Sequence, residues 1–156
     1  EIKKNKQSGA ITADKQVKGR GRYGKKWISY KGNIFVSIFF KINQKISINK
    51  LNKLTITLIK KALSKIIKEN ITIKPPNDLL INKKKFAGIL QETLINNNIK
   101  YIIIGIGINL VKNPTIKNYP TTNLLKETKK QIPKKKLIKT IFNEFKKNQK
   151  KFALHA

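Results

Sequence analysis

Both arginines of this chain fall in one tetrapeptide, Gly19-Arg20-Gly21-Arg22, against 34 lysines distributed elsewhere. A position satisfied by any cation would be lysine in so biased a chain. These two sites therefore ask for what lysine lacks, a planar fork of donors suited to carboxylate and phosphate. Gly19, Gly21 and Gly24 lie within the same six residues, and the only tryptophan, Trp27, follows. Glycine carries no Cβ, so this backbone can approach a ligand closely. Taken alone, Gly19 to Trp27 reads equally well as a solvated or RNA-contacting loop, and a lone Trp27 as a core residue.

Three further segments could do chemistry. Pro76-Asn77-Asp78 presents an amide and a carboxylate to a polar ligand or a cation, although Asn-Asp after Pro is also ordinary turn chemistry. Lys85 ends the charge run Lys83-Lys84-Lys85 and is set apart by the apolar Phe86-Ala87-Gly88-Ile89-Leu90 behind it, where Gly88 lets another group come close to a strand. Gly105-Ile106-Gly107-Ile108-Asn109 repeats that feature. It lacks the third glycine and following helix of a dinucleotide-binding fingerprint, so a Rossmann reading fails.

Composition narrows the chemistry. The 156 residues carry no cysteine and one histidine, His155, which removes disulfides, thiolate metal sites and thiol nucleophiles and leaves little room for imidazole catalysis. No apolar run approaches the roughly 18 residues a membrane span needs, and the expected protein is soluble and cytoplasmic. The net charge of +29 invites a nucleic-acid role. Lys, Ile and Asn, however, make up 78 residues, half the chain, and all three have AU-rich codons. Compositional drift explains the charge better, because the lysines are spread over the chain rather than gathered in a stripe.

The elements that must position these residues follow from periodicity. A strand is expected over Ala10–Gln16, then a long polar loop to Gly32, then a strand over Asn33–Lys41 that is apolar on consecutive positions and so buried on both faces. Leu51, Leu54, Leu58, Ala62 and Ile66 recur at helical spacing, predicting a helix over Asn49–Glu69 that stops at Asn70. Strands are expected at 71–73, 79–81, 86–95 and 101–110, with turns at 82–84 and 96–98. Pro75-Pro76 stiffens the backbone that delivers Asn77 and Asp78. Thr121 or Thr122 should cap a short helix. Pro133 should sit in the first turn of a last one, whose apolar face carries Leu137, Ile138, Ile141, Phe142, Phe145 and Phe152. The fold class is α+β, a mixed, mostly antiparallel sheet with helices mainly on one face.

In order and spacing, the segments Ala13-Asp14-Lys15-Gln16, Gly19 to Trp27, Gly32-Asn33-Ile34-Phe35, Lys74 to Leu79, Lys85 to Glu92, Gly105 to Asn109 and Thr122-Asn123-Leu124 resemble the catalytic domain of biotin protein ligases, within the biotin/lipoate ligase superfamily. The likeness covers residues 10 to about 125. It implies that biotin and ATP form biotinyl-5′-adenylate and pyrophosphate, and that the acyl group then passes to a lysine of a biotin carboxyl carrier protein. Biotin's own carboxylate attacks the α-phosphate, so positioning and positive charge are needed rather than a protein nucleophile.

Carried over by resemblance, Gln16, Gly19, Arg20, Gly21, Arg22, Lys85 and Gly88 would contact biotin or the adenylate phosphate. Lys85 would be the principal charge at the reacting centre, with Arg22 beside it. Trp27 would stack on adenine, and Asn77, Asp78 and Asn109 would serve ATP, with Asp78 a candidate partner for Mg²⁺; zinc, haem and flavin are not expected. The whole chain, 1–156, would be one catalytic domain, with neither an N-terminal DNA-binding domain nor a C-terminal β-domain. Specific DNA binding is therefore not expected, while a homodimer remains open. The chain departs from the family at Pro75, where Trp is usual, and at Lys25, where Arg is usual. Nothing in Glu1 to Gly9 supplies the family's Ser/Thr-Thr-Asn biotin segment, so biotin should bind more weakly than to a full domain. The alternatives are a lipoate ligase-like adenylating enzyme and a basic nucleic-acid-binding module.

Overall fold

The computed structural model describes residues 7–153. Six strands form one sheet in the order β1-β2-β6-β5-β4-β3, with β1 Ser8–Ala13, β2 Ile34–Lys41, β3 Ile71–Lys74, β4 Asp78–Ile81, β5 Lys84–Asn96 and β6 Ile99–Ile108. Every neighbouring pair is antiparallel, and parallel pairing is confined to a single bridge between Lys85 and Thr121. Helices α1 Ile48–Ser64, α2 Leu124–Thr128, α3 Lys134–Asn148 and α4 Lys150–Ala153 complete the fold. This is the α+β architecture that the periodicity predicts.

Register explains why one face is a helix-covered core and the other is free for a site. In β2, Ile34, Val36, Ile38 and Phe40 are opposite Ile108, Ile106, Ile104 and Ile102 of β6, and all eight are buried in the main core with Leu51, Ile59 and Leu63 of α1 and Leu137, Ile141 and Phe145 of α3. The alternate residues point the other way. Phe35 faces Gly107 and Ser37 faces Gly105 there, while Phe39 and Tyr101 make a small second cluster. The expectation that β2 is buried on both faces is met.

Two hairpins set the register of β4 to β6. Their turns place Asn82 and Lys83 (φ 50° and 60°), and Asn97 and Asn98 (φ 49° and 60°), in the left-handed region that tight two-residue hairpin turns require and that Asn tolerates. Pro76 follows Pro75 through a cis peptide bond.

Several boundaries differ from expectation. Strand β1 lies two residues earlier and ends three residues earlier than its own sequence indicates. It is an exposed edge strand, and its limits come from pairing with β2, Ser8 opposite Phe40 through Ala13 opposite Phe35. Helix α1 stops at Ser64, not near Asn70, because the Ile66 and Ile67 amides both turn back to the Leu63 carbonyl. The cap of α2 is Asn123, whose side chain accepts from the Lys126 amide at 2.9 Å; Thr121 and Thr122 instead donate to the Pro114 carbonyl and to Glu127. Pro133 is the residue before the first turn of α3. Phe142 is 38% exposed, and Phe152 sits on the separate α4, edge-on to Phe40 at 4.8 Å.

Candidate active site

On the sheet face away from the helices, the two glycine-bearing segments meet. Gly88 of β5 is the register partner of Gly107 of β6, and the Trp27 indole lies on the pair. A Cβ on Gly88 would come within 2.7 Å of the ring, and one on Gly107 within 2.6 Å. Only glycine at both positions lets the ring lie against the sheet.

The loop before Trp27 is a folded-back hairpin rather than a flexible tether. The Gly21 amide donates to the Lys25 carbonyl at 2.6 Å, and the Trp27 amide donates to the Gly19 carbonyl at 2.9 Å. Tyr23 (φ 54°) and Gly24 (φ 71°) make its tip, and Gly19 is pressed so closely on Trp27 that a Cβ would lie 2.4 Å from the Trp27 carbonyl oxygen. Two of the loop's glycines are thus required by geometry, one for φ and one for contact.

Beside the indole stands a charged cluster. The Lys85 ammonium is 5.4 Å from the Trp27 ring and 2.8 Å from Oδ1 of Asp78, an ion pair without hydrogen-bond alignment. Its two partners are 19% and 13% exposed, so their attraction is screened far less than that of a surface pair. A bulge brings them together. Asp78 pairs with Gly88 and Leu79 with Ala87, but Leu80 pairs with Lys85, so Phe86 is an extra residue. Without it, Lys85, three places before Gly88, would point to the helix side. With it, Phe86 turns into the core, fully buried, and Lys85 joins Gly88, Asp78 and Trp27 on the open face. The Tyr119 hydroxyl donates to the other carboxylate oxygen of Asp78 at 2.7 Å. Burial, and then that bond and the charge of Asp78, hold the Tyr119 phenol well above its usual range.

The other expected residues are placed less uniformly. Asn109, two residues past Gly107, is 2% exposed; its Nδ2 donates to the Thr122 carbonyl while its Oδ1 has no partner among the described residues. The Trp27 Nε1 is likewise buried and unpartnered. Asn77 is held by its Nδ2 to the Ile89 carbonyl at 3.0 Å. Gln16 is exposed and accepts from the Ser29 hydroxyl. Arg20 pairs with Glu92 at 2.9 Å, and Arg22 reaches only the neighbouring Tyr23, donating to its hydroxyl and lying 4.8 Å over its ring. The structure thus gathers Trp27, Lys85, Gly88, Asp78 and Gly107 at one spot and leaves both guanidinium groups turned to other partners. A cavity of about 260 Å³ lies between the loop, the start of α1 and the edge of β5, where Arg22, Tyr23, Asn77, Leu90 and Gln91 line it. Trp27, Lys85 and Asp78 are not among its walls.

Two residues the motifs did not single out for the site are Tyr119 and Asn33. Asn33 is fully buried and accepts from the amides of Leu110, Val111 and Lys112, which fixes the chain leaving β6 next to Asn109. Its place directly before a mostly apolar strand, within the family-like segment Gly32-Asn33-Ile34-Phe35, is the signal that marks it.

A sequence model of the biotin/lipoate A/B protein ligase family matches residues 1–109. The chain belongs to that family. Within it, the bifunctional ligase/repressor BirA of Bacillus subtilis is 33% identical over 157 residues, covering 93% of this chain and 47% of the relative. The chain thus spans about half the length of the curated relatives it matches. A biotin protein ligase from Aquifex aeolicus, solved in complex with biotin and ATP, superposes with a TM-score of 0.79 at 30% identity, over 92% of this chain and 61% of that one. One from Leishmania major in complex with biotinyl-5-AMP gives 0.80 at 21% identity, over 97% and 68%, which shows the shared fold. The likeness to biotin protein ligase catalytic domains, read from the motifs, is upheld.

The cluster at Trp27 has the character of a site that holds a ligand by stacking and charge. It offers an aromatic face and a partly buried ammonium, with no Ser, Cys or His beside them, and the unpartnered Oδ1 of Asn109 lies two residues beyond Gly107 in sequence. A protein-held metal does not fit. Among the described residues no three carboxylate, His or Cys side chains converge, and both oxygens of Asp78 are engaged by Lys85 and Tyr119.

Proposed function

We propose that this chain activates biotin with ATP to biotinyl-5′-adenylate and passes the acyl group to a lysine of a biotin carboxyl carrier protein. The observation that carries the reading is the Lys85 ammonium, partly buried, paired with Asp78 and set against the Trp27 ring over the Gly88–Gly107 floor. A fixed positive charge of this kind stabilises the negative charge that grows on phosphorus oxygens during transfer, at no reorganisation cost. Biotin's carboxylate oxygen bonds to the α-phosphorus as the bond to the pyrophosphate oxygen breaks. The carrier amine then attacks the acyl carbon, AMP leaves with the bonding pair, and the amine gives up a proton.

In this reading adenine stacks on Trp27, and its exocyclic amine donates to the free Oδ1 of Asn109, which would otherwise remain a buried acceptor without a donor. Asn77 and Asp78 border the nucleotide. Gln16, Gly19, Arg20, Gly21 and Arg22 are brought to biotin and its adenylate when the loop closes, Arg20 and Arg22 exchanging Glu92 and Tyr23 for the ligand. Magnesium would accompany ATP on its phosphates, as this ion keeps most of its water and needs few protein ligands. Dependence on ATP supports a cytoplasmic location, and no helix among the described residues is long and apolar enough to cross a membrane. Residues 1–156 would act as the catalytic unit.

The test is ATP–pyrophosphate exchange with biotin, with lipoate and with no acid. Exchange that depends on biotin supports the proposal. Exchange only with lipoate would move the chain to the lipoate branch, and exchange with neither acid would end the adenylation reading.

A further inference from the structure

Tyr119 belongs to none of the segments that carry the family likeness, yet it touches the centre of the candidate site. We propose that Tyr119 is a positioning residue for adenylation: by donating to Oδ2 of Asp78 it keeps Oδ1 turned to Lys85, and so holds the Lys85 ammonium against the Trp27 face. The proposal rests on the adenylation reading above for the reaction it serves.

Three observations lead to it. The hydroxyl-to-carboxylate bond is 2.7 Å long and is shielded, Asp78 being 13% exposed. A carboxylate with one oxygen tied cannot turn freely about its Cβ–Cγ bond, so the remaining oxygen is fixed where the bulge of β5 delivers Lys85. Second, Tyr119 is fastened to Lys85 through the main chain. The Lys85 amide donates to the Pro120 carbonyl and the Thr122 amide to the Lys85 carbonyl, both at 2.9 Å, so the loop carrying Tyr119 and the backbone carrying Lys85 move as one body. Third, the Tyr119 ring is flanked by two ammonium groups, Lys74 at 4.1 Å and Lys85 at 5.6 Å from its centre. The ring face attracts each cation and keeps the long side chains near the carboxylate, while the hydroxyl supplies the aligned bond.

Lysine is a flexible stem with a point charge, and nothing in its own shape fixes where the charge sits. Oriented by Asp78 alone, it would follow whichever way the carboxylate turned. The Tyr119 hydroxyl removes that freedom, so its loss should lower turnover more than substrate binding.

Tyr119→Phe keeps the ring and removes the hydroxyl. The expected result is a roughly three- to tenfold fall in kcat for biotin-dependent exchange, the size of one lost hydrogen bond acting through a charged partner, with KM for biotin and the unfolding temperature nearly unchanged. In an Asp78→Asn background the same change should have no further effect, because the two act through one contact. Equal effects in both backgrounds, or a loss of turnover matched by a loss of stability, would overturn the proposal. Trace acetylation of the folded protein, read lysine by lysine by mass spectrometry, decides it without turnover: Lys85 should become more reactive relative to exposed lysines in Tyr119→Phe, and unchanged reactivity would refute the positioning role. A parent chain that shows no exchange would count against the adenylation reading alone, since the acetylation readout still answers for Tyr119.

Discussion

Gly88 and Gly107 face each other across β5 and β6, and the Trp27 ring rests on both, so a single added methyl group on either strand would meet the indole at 2.7 Å or less. The same strand supplies its own control. A Cβ on Gly105, two residues before Gly107, would find its nearest neighbour at 3.6 Å, an ordinary contact.

Gly107→Ala should therefore push Trp27 off the sheet and cost about 1–3 kcal/mol of stability, the usual range for forced overpacking. Nucleotide affinity should fall with it, and emission from the only tryptophan should shift toward that of a solvated indole. Gly105→Ala should leave all three measurements close to the parent. Chemical unfolding, ATP titration and fluorescence spectra on the two variants check this, and equal behaviour of the pair would contradict the packed position of Trp27.

Among the described residues the Arg22 guanidinium is engaged only by its neighbour Tyr23, so Arg22→Lys should leave thermal stability nearly unchanged. If the loop closes over the adenylate, lysine keeps the charge but loses the fork, and the two charge-assisted bonds, worth roughly 1.5–3 kcal/mol each, are partly lost. The expected outcome is faster escape of biotinyl-adenylate, measured by dissociation from the purified complex. Unaltered escape would exclude a clamp by Arg22.

Glu144 of α3 is 2% exposed and takes Lys61 and Lys65 of α1 as partners. Their hydrogen bonds outweigh burial and hold its carboxyl down to about 2. A carboxylate depressed on folding stabilises the fold above its unfolded pKa, near 4.3, and that stability is lost as pH falls toward 2. Because both lysines are half-exposed, the contribution is on the order of 2 kcal/mol rather than the full value of the shift. Glu144→Gln should be less stable than the parent at pH 7, with the difference shrinking below pH 4. Urea unfolding at several pH values tests the sign.

The charge of +29 sets up a field that steers the encounter with an acidic protein, and salt weakens it, screening it beyond about 8 Å at physiological ionic strength. Transfer of the acyl group to an acidic carrier domain should therefore slow steeply with added salt, while adenylate formation from small substrates slows less. Measuring the two half-reactions across a salt series would show it; equal slopes would argue against steering by net charge.

What could be read without coordinates depended on how strongly each element is specified locally. Strands β2, β5 and β6 carry dense runs of Ile, Phe and Leu bounded by Asn turns, and they fall within two residues of expectation. Strand β1 has no pattern of its own, being an exposed edge defined by its partner, and its limits were invisible. The two arginines, the glycines and Trp27 stand out because they resist a composition drifting toward Lys, Ile and Asn, whereas Lys85 and Asp78 are marked only by their neighbours, the apolar run after one and Pro76-Asn77 before the other. Their meeting is not marked, since the pairing of Lys85 with Asp78 depends on a bulge at Phe86 that no residue type announces. Tyr119 could not be found in advance for a related reason: it arrives from a loop 41 positions beyond Asp78 in sequence.

The tie between Glu144 and the two lysines of α1 has a mechanical meaning. It staples the two long helices to each other on the rear of the sheet, while the Gly19–Trp27 hairpin on the front, closed by its own backbone bonds, rests on the sheet through the Trp27 ring and the exposed Arg20–Glu92 ion pair. The hairpin can accordingly shift as a unit by releasing one exposed ion pair and one ring contact. Loop closure over a ligand can then proceed without disturbing the helix layer, and amide exchange on ligand addition should slow along residues 19–27 while the amides of α1 and α3 keep their parent rates.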